Sequence, residues 1–154
     1  MIPDNGPVYL DNHSTTRVDP DVVESMLPWF ADNYGNAGSG THTMGTDARD
    51  AVEIARQRVA HAVGATPREI VFTSGATESI NLAMVGAVSR QSMKQCVVPE
   101  TEHAAVLDVA DQLERQGLAV CRLSVATKES KTPGALDLGR LDEMVCSGPA
   151  LVSV

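Results

Sequence analysis

The sequence predicts an α/β protein, in which a mostly parallel sheet is flanked by helices and preceded by an amino-terminal helical arm. Short apolar runs alternate along the chain with segments whose apolar residues recur at helical spacing. This alternation favours parallel strands, right-handed crossovers and a sheet covered on both faces. The composition agrees, because 43% of the 154 residues are hydrophobic and only 3% are aromatic, which suits helices packed on an aliphatic sheet.

Helix boundaries are predicted from capping residues and apolar spacing. Asp19 is expected to be the N-cap of a helix that begins at Pro20. The apolar stripe of this helix consists of Val22, Val23, Met26, Leu27 and Phe30. A second helix follows Gly45 and ends near Gly64, where glycine suits the left-handed conformation of a helix end. Further helices are expected over residues 77–88, 104–116 and 139–146.

Strands are predicted where short apolar runs lie between turn residues. The expected strands cover residues 70–73, 95–99, 118–125 and 150–154, and the first and last of them are expected to be buried. The polar segment 128–134 is the expected exposed loop. No internal repeat or linker divides the chain, which is therefore interpreted as one domain or as part of one.

The segment FTSGATESIN, residues 72–81, is predicted to be a phosphate site. A glycine-containing turn opens there directly into a helix, whose free N–H groups and positive dipole end point at one spot. Thr77 adds a hydroxyl donor beside Gly75 and Ala76. A plainer interpretation also exists, in which the turn ends a strand and Glu78 caps the helix without binding any ligand.

Charge and hydropathy exclude several classes of partner. The net charge of -8 argues against nucleic acid and anionic membranes, because an acidic surface repels phosphate groups. The sequence contains no run of eighteen apolar residues and its first residues do not resemble a signal peptide, so a soluble cytoplasmic protein is expected.

Neither cysteine nor histidine spacing indicates a metal site. Cys96, Cys121 and Cys146 are odd in number and widely separated, so we expect structural thiols without a disulfide framework. The histidines lack a local ligand pattern such as HExxH. His103 follows a predicted strand and could simply cap the next helix.

Four segments in order resemble the amino-terminal part of the cysteine desulfurases, class V members of the fold-type I pyridoxal phosphate (PLP) enzymes. They are YLDNHSTT at residues 9–16, GNAGSGTHTMG at 35–45, FTSGATESIN at 72–81 and TEHAAVLD at 101–108. The resemblance extends from Tyr9 to Val154. It implies that PLP is the cofactor and that the chain, residues 1–154, is the arm and the first part of the PLP-binding large domain, which would then be incomplete.

The resemblance also implies site residues. Gly75, Ala76 and Thr77 would hold the PLP phosphate, and His103 would stack on the pyridine ring and serve in proton transfer as a catalytic residue. His42 matches a family position near the active site, although a loop histidine is ordinarily structural or exposed. His13 departs from the pattern, since the family more often has asparagine there, and it receives no catalytic role.

Other family positions have no counterpart in this sequence. The family's Schiff-base lysine, its aspartate partner of the pyridine nitrogen and its sulfur-accepting cysteine all lie farther along the chain. Lys94, Lys128 and Lys131 do not match the lysine motif. Because PLP chemistry depends on the lysine and the carboxylate, these 154 residues are not expected to perform the complete reaction.

The complete enzyme would convert L-cysteine to L-alanine and pass the sulfur on as a persulfide, for iron–sulfur cluster assembly or other sulfur transfer. The expected associations are a homodimer or pairing with a missing carboxyl-terminal half, together with a sulfur-acceptor protein. A selenocysteine lyase or another class V aminotransferase-like enzyme is one alternative. A non-catalytic or complementing fragment of a split or truncated gene is the other.

Overall fold

A computed structural model of the chain describes residues 7–145 and 148–153. The backbone divides into two compact units, Met1–Val71 and Phe72–Val154. The described helices are α1 (Pro20–Ala31), α2 (Thr43–Val63), α3 (Ala76–Gln91), α4 (Ala104–Arg115) and α5 (Leu138–Val145). The described strands are β1 (Gln95–Pro99), β2 (Ala119–Leu123) and β3 (Ala150–Val152). None of the helices in this part of the chain combines the length and the apolar character that a membrane crossing requires.

Helix α1 begins where the sequence predicts. Asp19 is its N-cap, and the Asp19 carboxylate accepts a hydrogen bond of 2.9 Å from the backbone N–H of Asp21. The apolar stripe predicted for this helix does not become part of a core. No residue of α1 is buried, and Phe30 is 72% exposed. Apolar spacing therefore identified the helix correctly, but it did not show what the stripe contacts.

Helix α2 starts at Thr43 rather than after Gly45, three residues before the predicted start, because His42 caps it. The Nδ1 atom of His42 accepts a hydrogen bond of 3.1 Å from the backbone N–H of Gly45. The predicted end is confirmed, since Gly64 adopts the left-handed conformation with φ of 70°. A short 3₁₀ turn, Pro67–Glu69, follows and contacts α2.

The predicted parallel sheet is confirmed in the carboxyl-terminal unit. Within the described residues its strand order is β2-β1-β3, and β1 is parallel to both neighbours. Residue 95 lies opposite residue 119 on one side and residue 150 on the other. The predicted helices at 77–88, 104–116 and 139–146 correspond to α3, α4 and α5, with ends that differ by at most three residues. Cys146 lies outside the described residues.

All five residues of β1 are buried, because helices cover both faces of this central strand. Cys96 and Val98 point to one face, where they join a core with Met84 of α3 and with residues of α4. The α4 residues in this core are Val106, Val109, Ala110 and Leu113. Val97 points to the other face and is 1% exposed, and α5 contacts β1 and β2. The core of this unit therefore surrounds β1.

The strand predicted at residues 70–73 is wrong. Ile70 has extended dihedral angles, but residues 70–73 form no strand, and Val71 and Phe72 are 63% and 48% exposed. An apolar run becomes a strand only when a neighbouring strand accepts its hydrogen bonds, and neither edge of the described sheet pairs with this run. The strand predicted at 150–154 forms as β3 over Ala150–Val152, but it is only partly buried, because it is an edge strand. Val154 lies outside the described residues.

Leu113→Ala should destabilise the chain by about 2 to 5 kcal/mol, because it removes a fully buried side chain from the core beside β1 and leaves a cavity. Denaturant unfolding followed by circular dichroism measures this free energy. Leu138→Ala is the matched control, since Leu138 is 64% exposed and should change stability by less than about 0.5 kcal/mol. Equal losses in both variants would contradict the position of the core.

Candidate functional site

The carboxyl end of β1 and the start of α3 lie at the same edge of the sheet. Three residues join the end of α3 to the start of β1, and four residues, 100–103, join the end of β1 to α4. Connections this short require both helices to run antiparallel to β1, and the two helices pack on each other. The amino-terminal ends of α3 and α4 are therefore neighbours at the carboxyl edge of the sheet, where ligands of such sheets bind.

The start of α3 differs from the starts of the other described helices. Side chains cap α1, α2 and α4 through Asp19, His42 and His103, and Asp137 accepts from the first turn of α5. The N-cap of α3 is Gly75, which has no side chain to accept from the helix. The backbone N–H groups of Ala76 and Thr77 donate no hydrogen bond to the residues that the structure describes.

Conformation does not require glycine at this N-cap. Gly75 has a φ of 162°, which is extended backbone that any residue can adopt. A methyl group in place of its hydrogen would meet no other atom within 4 Å. The space beside Gly75 is therefore open, and the free N–H groups of the first turn of α3 point out of the helix at this end.

Glu78 accepts two hydrogen bonds on the other side of this turn. Its carboxylate takes bonds of 2.6 Å from the Ser74 backbone N–H and 2.7 Å from the Ser74 hydroxyl. The backbone bond, and then the hydroxyl bond, lower the pKa of Glu78. Glu69 has the same arrangement with Thr66, which lowers the pKa of Glu69 for the same reasons. Glu78 thus bonds Ser74 at the start of the helix, as the plainer interpretation expects. The N–H groups of Ala76 and Thr77 are not used by this carboxylate.

Thr77 and His103 are both exposed in this structure. The Thr77 hydroxyl makes no hydrogen bond to the residues that the structure describes, whereas its carbonyl accepts 2.9 Å from Asn81. His103 is the N-cap of α4, and its Nδ1 accepts 3.1 Å from the backbone N–H of Ala105. Because Nδ1 is the acceptor, the proton of the neutral ring is on Nε2, which leaves an N–H donor on the outward side of the ring.

The remaining candidate side chains do not join this site. Burial, followed by the proximity of Cys121, raises the pKa of the Cys96 thiol, which is consistent with the predicted structural role. Lys94 lies at the amino end of β1, where its backbone N–H donates to Pro149, so the length of the strand separates it from the carboxyl edge. No group of three or more histidine, cysteine or acidic residues in the described ranges could hold a metal ion.

A separate apolar groove of about 860 Å³ lies in the amino-terminal unit. Its lining includes Trp29, Phe30 and Tyr34 from α1 and the loop after it, and Val52 and Ile54 from α2. None of the predicted site residues lines this groove.

Sequence reasoning missed a further pair of residues at this edge. Glu102 precedes His103 in the same loop, and its carboxylate accepts hydrogen bonds from the Ser153 hydroxyl at 2.7 Å and from the His103 backbone N–H at 3.2 Å. Ser153 is 51 residues away in the sequence. No local motif connects two residues so far apart, so only the fold could reveal this contact.

Comparison with known proteins identifies the family. The profile of the aminotransferase class-V family matches residues 8–154, and the chain belongs to this family. It is 48% identical over 150 residues to a protein named cysteine desulfurase IscS from Anaeromyxobacter sp. (strain Fw109-5), covering 96% of this chain and 36% of the relative. The predicted resemblance to cysteine desulfurases is therefore confirmed, and the chain spans about a third of the relative's length.

Solved structures show the same relationship. A NifS-like protein superposes with a TM-score of 0.79 at 35% identity, over 92% of this chain and 38% of the other. A structure described as SspA in complex with cysteine gives a TM-score of 0.74 at 32% identity, over 90% of this chain and 39% of the other. These neighbours confirm the predicted fold class.

Ser74→Ala should raise the pKa of Glu78 part of the way to its ordinary value and leave the pKa of Glu69 unchanged. The rise is partial because the stronger backbone bond remains. Thr66→Ala should do the reverse. Carboxyl ¹³C NMR titration measures both groups in each variant, so each variant is the control for the other.

The sign of the pH effect on stability follows from the lowered pKa values. A carboxylate whose folded-state pKa is depressed stabilises the fold above the pKa of the unfolded chain, and this contribution is lost as the pH falls through the folded-state pKa. The acid-side loss of stability should therefore be smaller in Ser74→Ala and in Thr66→Ala than in the unsubstituted chain. Identical acid unfolding curves would show that these bonds are absent in solution.

Proposed function

We propose that this chain provides the phosphate-binding and ring-contacting part of a PLP site in a cysteine desulfurase-type protein. The observation that carries the proposal is the uncapped start of α3. Its free N–H groups lie at the sheet edge that also holds His103, in a chain that belongs to the aminotransferase class-V family.

The residues present fit a phosphate group. The N–H groups of Ala76 and Thr77 and the Thr77 hydroxyl have no acceptors among the described residues, and a phosphate oxygen is a strong, charged acceptor. The positive end of the α3 dipole favours an anion at the same place. Because Gly75 has no side chain, a phosphate can approach these donors closely.

Within residues 72–81, Glu78 is the one anionic side chain that could oppose phosphate binding. The two hydrogen bonds from Ser74 hold its carboxylate on the Ser74 side of the turn. The donors of Ala76 and Thr77 therefore remain available to the ligand. This division of donors supports the proposal that Gly75, Ala76 and Thr77, rather than Ser74, hold the phosphate.

His103 would meet the ring of the bound cofactor. Its Nδ1 is occupied by the N–H of Ala105, so the ring is restrained about its bonds and presents Nε2–H and a π face to the ligand. The cofactor, when bound, supplies the electron sink for bond cleavage at an amino acid. His103 would contribute ring stacking and a proton donor or acceptor at Nε2.

The activity of the complete protein is part of the same proposal. The relative from Anaeromyxobacter is named a cysteine desulfurase, so we propose L-cysteine as the substrate and L-alanine and transferable sulfur as the products. Residues outside these 154 would provide the Schiff-base lysine and the sulfur-accepting cysteine. A homodimer, a sulfur-acceptor partner and a cytoplasmic location stay predictions from the resemblance and the sequence.

Thr77→Val should weaken PLP binding roughly tenfold or more, because one hydroxyl donor to a charged acceptor is lost at nearly constant volume, at a cost on the order of 1.5 to 3 kcal/mol. Titration of the chain with PLP, followed by absorbance and ³¹P NMR, gives the affinity. Thr127→Val is the matched control, because Thr127 is exposed in the loop after β2. Equal affinity in both variants would remove Thr77 from the phosphate site.

The 154-residue chain should bind PLP without forming a covalent bond to it and should not release alanine from L-cysteine. Lys94 is at the wrong end of β1, and Lys128 and Lys131 lie in the exposed loop 128–134. Borohydride reduction of the PLP-treated chain, followed by peptide mass spectrometry, tests for adducts. A specific adduct on one of these lysines, together with alanine formation above a PLP-only control, would contradict this expectation.

A further inference from the structure

We propose that Glu102 is a positioning residue that couples the orientation of His103 to the end of β3 through Ser153. The coupling is a property of this chain's own hydrogen bonds. Its relevance to catalysis rests on the proposed function, in which His103 contacts the cofactor.

The two oxygens of the Glu102 carboxylate have different donors. Oε1 accepts from the Ser153 hydroxyl at 2.7 Å in a partly buried position, and Oε2 accepts from the His103 backbone N–H at 3.2 Å. No lysine or arginine within residues 7–145 and 148–153 forms a salt bridge with Glu102. The carboxylate is therefore held by neutral donors from two different elements, and it bridges them.

Both ends of this bridge are fixed to the sheet. The backbone N–H of Ser153 donates 3.0 Å to the Val97 carbonyl, which continues the pairing of β3 with β1 by one residue. On the other side, the backbone N–H of Glu102 donates 3.3 Å to the Pro99 carbonyl, which closes a turn at the end of β1. Glu102 thus connects the ends of two adjacent parallel strands.

The bridge continues to the imidazole of His103. Glu102 holds the backbone N–H of His103, and the His103 Nδ1 in turn accepts from the backbone N–H of Ala105, which is 8% exposed. A rotation of the His103 backbone would pull Nδ1 away from Ala105 and leave a buried N–H without an acceptor. The Glu102 bond therefore restrains the ring as well as the backbone.

A carboxylate suits this bridge better than an amide. Both donors need an acceptor at the same time, and glutamate offers two acceptor oxygens, whereas glutamine offers one oxygen and an NH₂ group that cannot accept. Glu102→Gln should keep the size of the side chain and lose one of the two bonds. Glu100 provides a matched control, because it lies two residues earlier in the same loop and its carboxylate makes no hydrogen bond to the residues that the structure describes.

Amide hydrogen exchange, measured by NMR on the full 154-residue chain without cofactor, tests the coupling. Glu102→Gln and Ser153→Ala should each raise the exchange rate of the Ala105 amide on the order of tenfold, while exchange at Leu113 in the same helix stays unchanged. The double variant should exchange no faster than the faster single variant, because both substitutions break one bridge. Ser153→Thr keeps the hydroxyl and should restore protection, and Glu100→Gln should change exchange by less than twofold.

The inference is overturned if Ala105 exchange in Glu102→Gln matches that in Glu100→Gln, or if the two single effects simply add. It is also overturned if Ser153→Ala has no effect, since the link to β3 would then be absent. Should Glu102→Gln fail to fold, the contrast between Ser153→Ala and Ser153→Thr decides the matter. PLP titrations test the proposed function separately. If the variants change Ala105 exchange as expected but the chain binds no PLP, the proposed function is wrong and the Glu102 bridge is still supported.

Discussion

The complete burial of β1 is the constraint on which the carboxyl-terminal unit depends. Helices α3 and α4 cover one face of this strand and α5 contacts the sheet on the other, so β1 cannot shift without opening the core. Hydrogen bonds from Glu100 to Leu123 and from Ser153 to Val97 extend the sheet past its strand ends. The loop that carries His103 is therefore anchored at a rigid strand end, as the ring-contacting role proposed for His103 would require.

Helix capping divides the starts of the helices into two kinds. At α1, α2 and α4 the chain satisfies its own N–H groups with the side chains of Asp19, His42 and His103. At α3 it does not, although the extended backbone of Gly75 would accept a capping residue without strain. A serine or aspartate in place of Gly75 would stabilise the helix by about a few tenths of a kcal/mol. The helix without a side-chain cap is therefore α3, and its start is the one that the family resemblance associates with the phosphate.

Local signals predicted the helices well and the sheet only in part. Asp19 and Gly64 cap their own helices through local contacts, so the sequence was sufficient to predict their roles. The apolar run at 70–73 carried the same signal as β1 but has no strand partner in the described sheet. The contact between Glu102 and Ser153 joins residues 51 positions apart, and the exposure of the α1 stripe depends on what packs against it. Pairing and packing are properties of the whole fold, and sequence spacing alone does not determine them.

The register of the sheet also separates the two thiols of the strands. Cys96 lies opposite Val120 and Cys121 lies opposite Val97, so the two sulfur atoms point to opposite faces of the sheet and cannot form a disulfide in the folded chain. Cys96 is completely buried, and burial raises its pKa, whereas Cys121 is only partly buried. A thiol reagent therefore reaches Cys96 only when the sheet opens. This cysteine is a natural reporter of opening of the carboxyl-terminal unit, and its alkylation rate follows the same event that would release the loop of His103 from its strand.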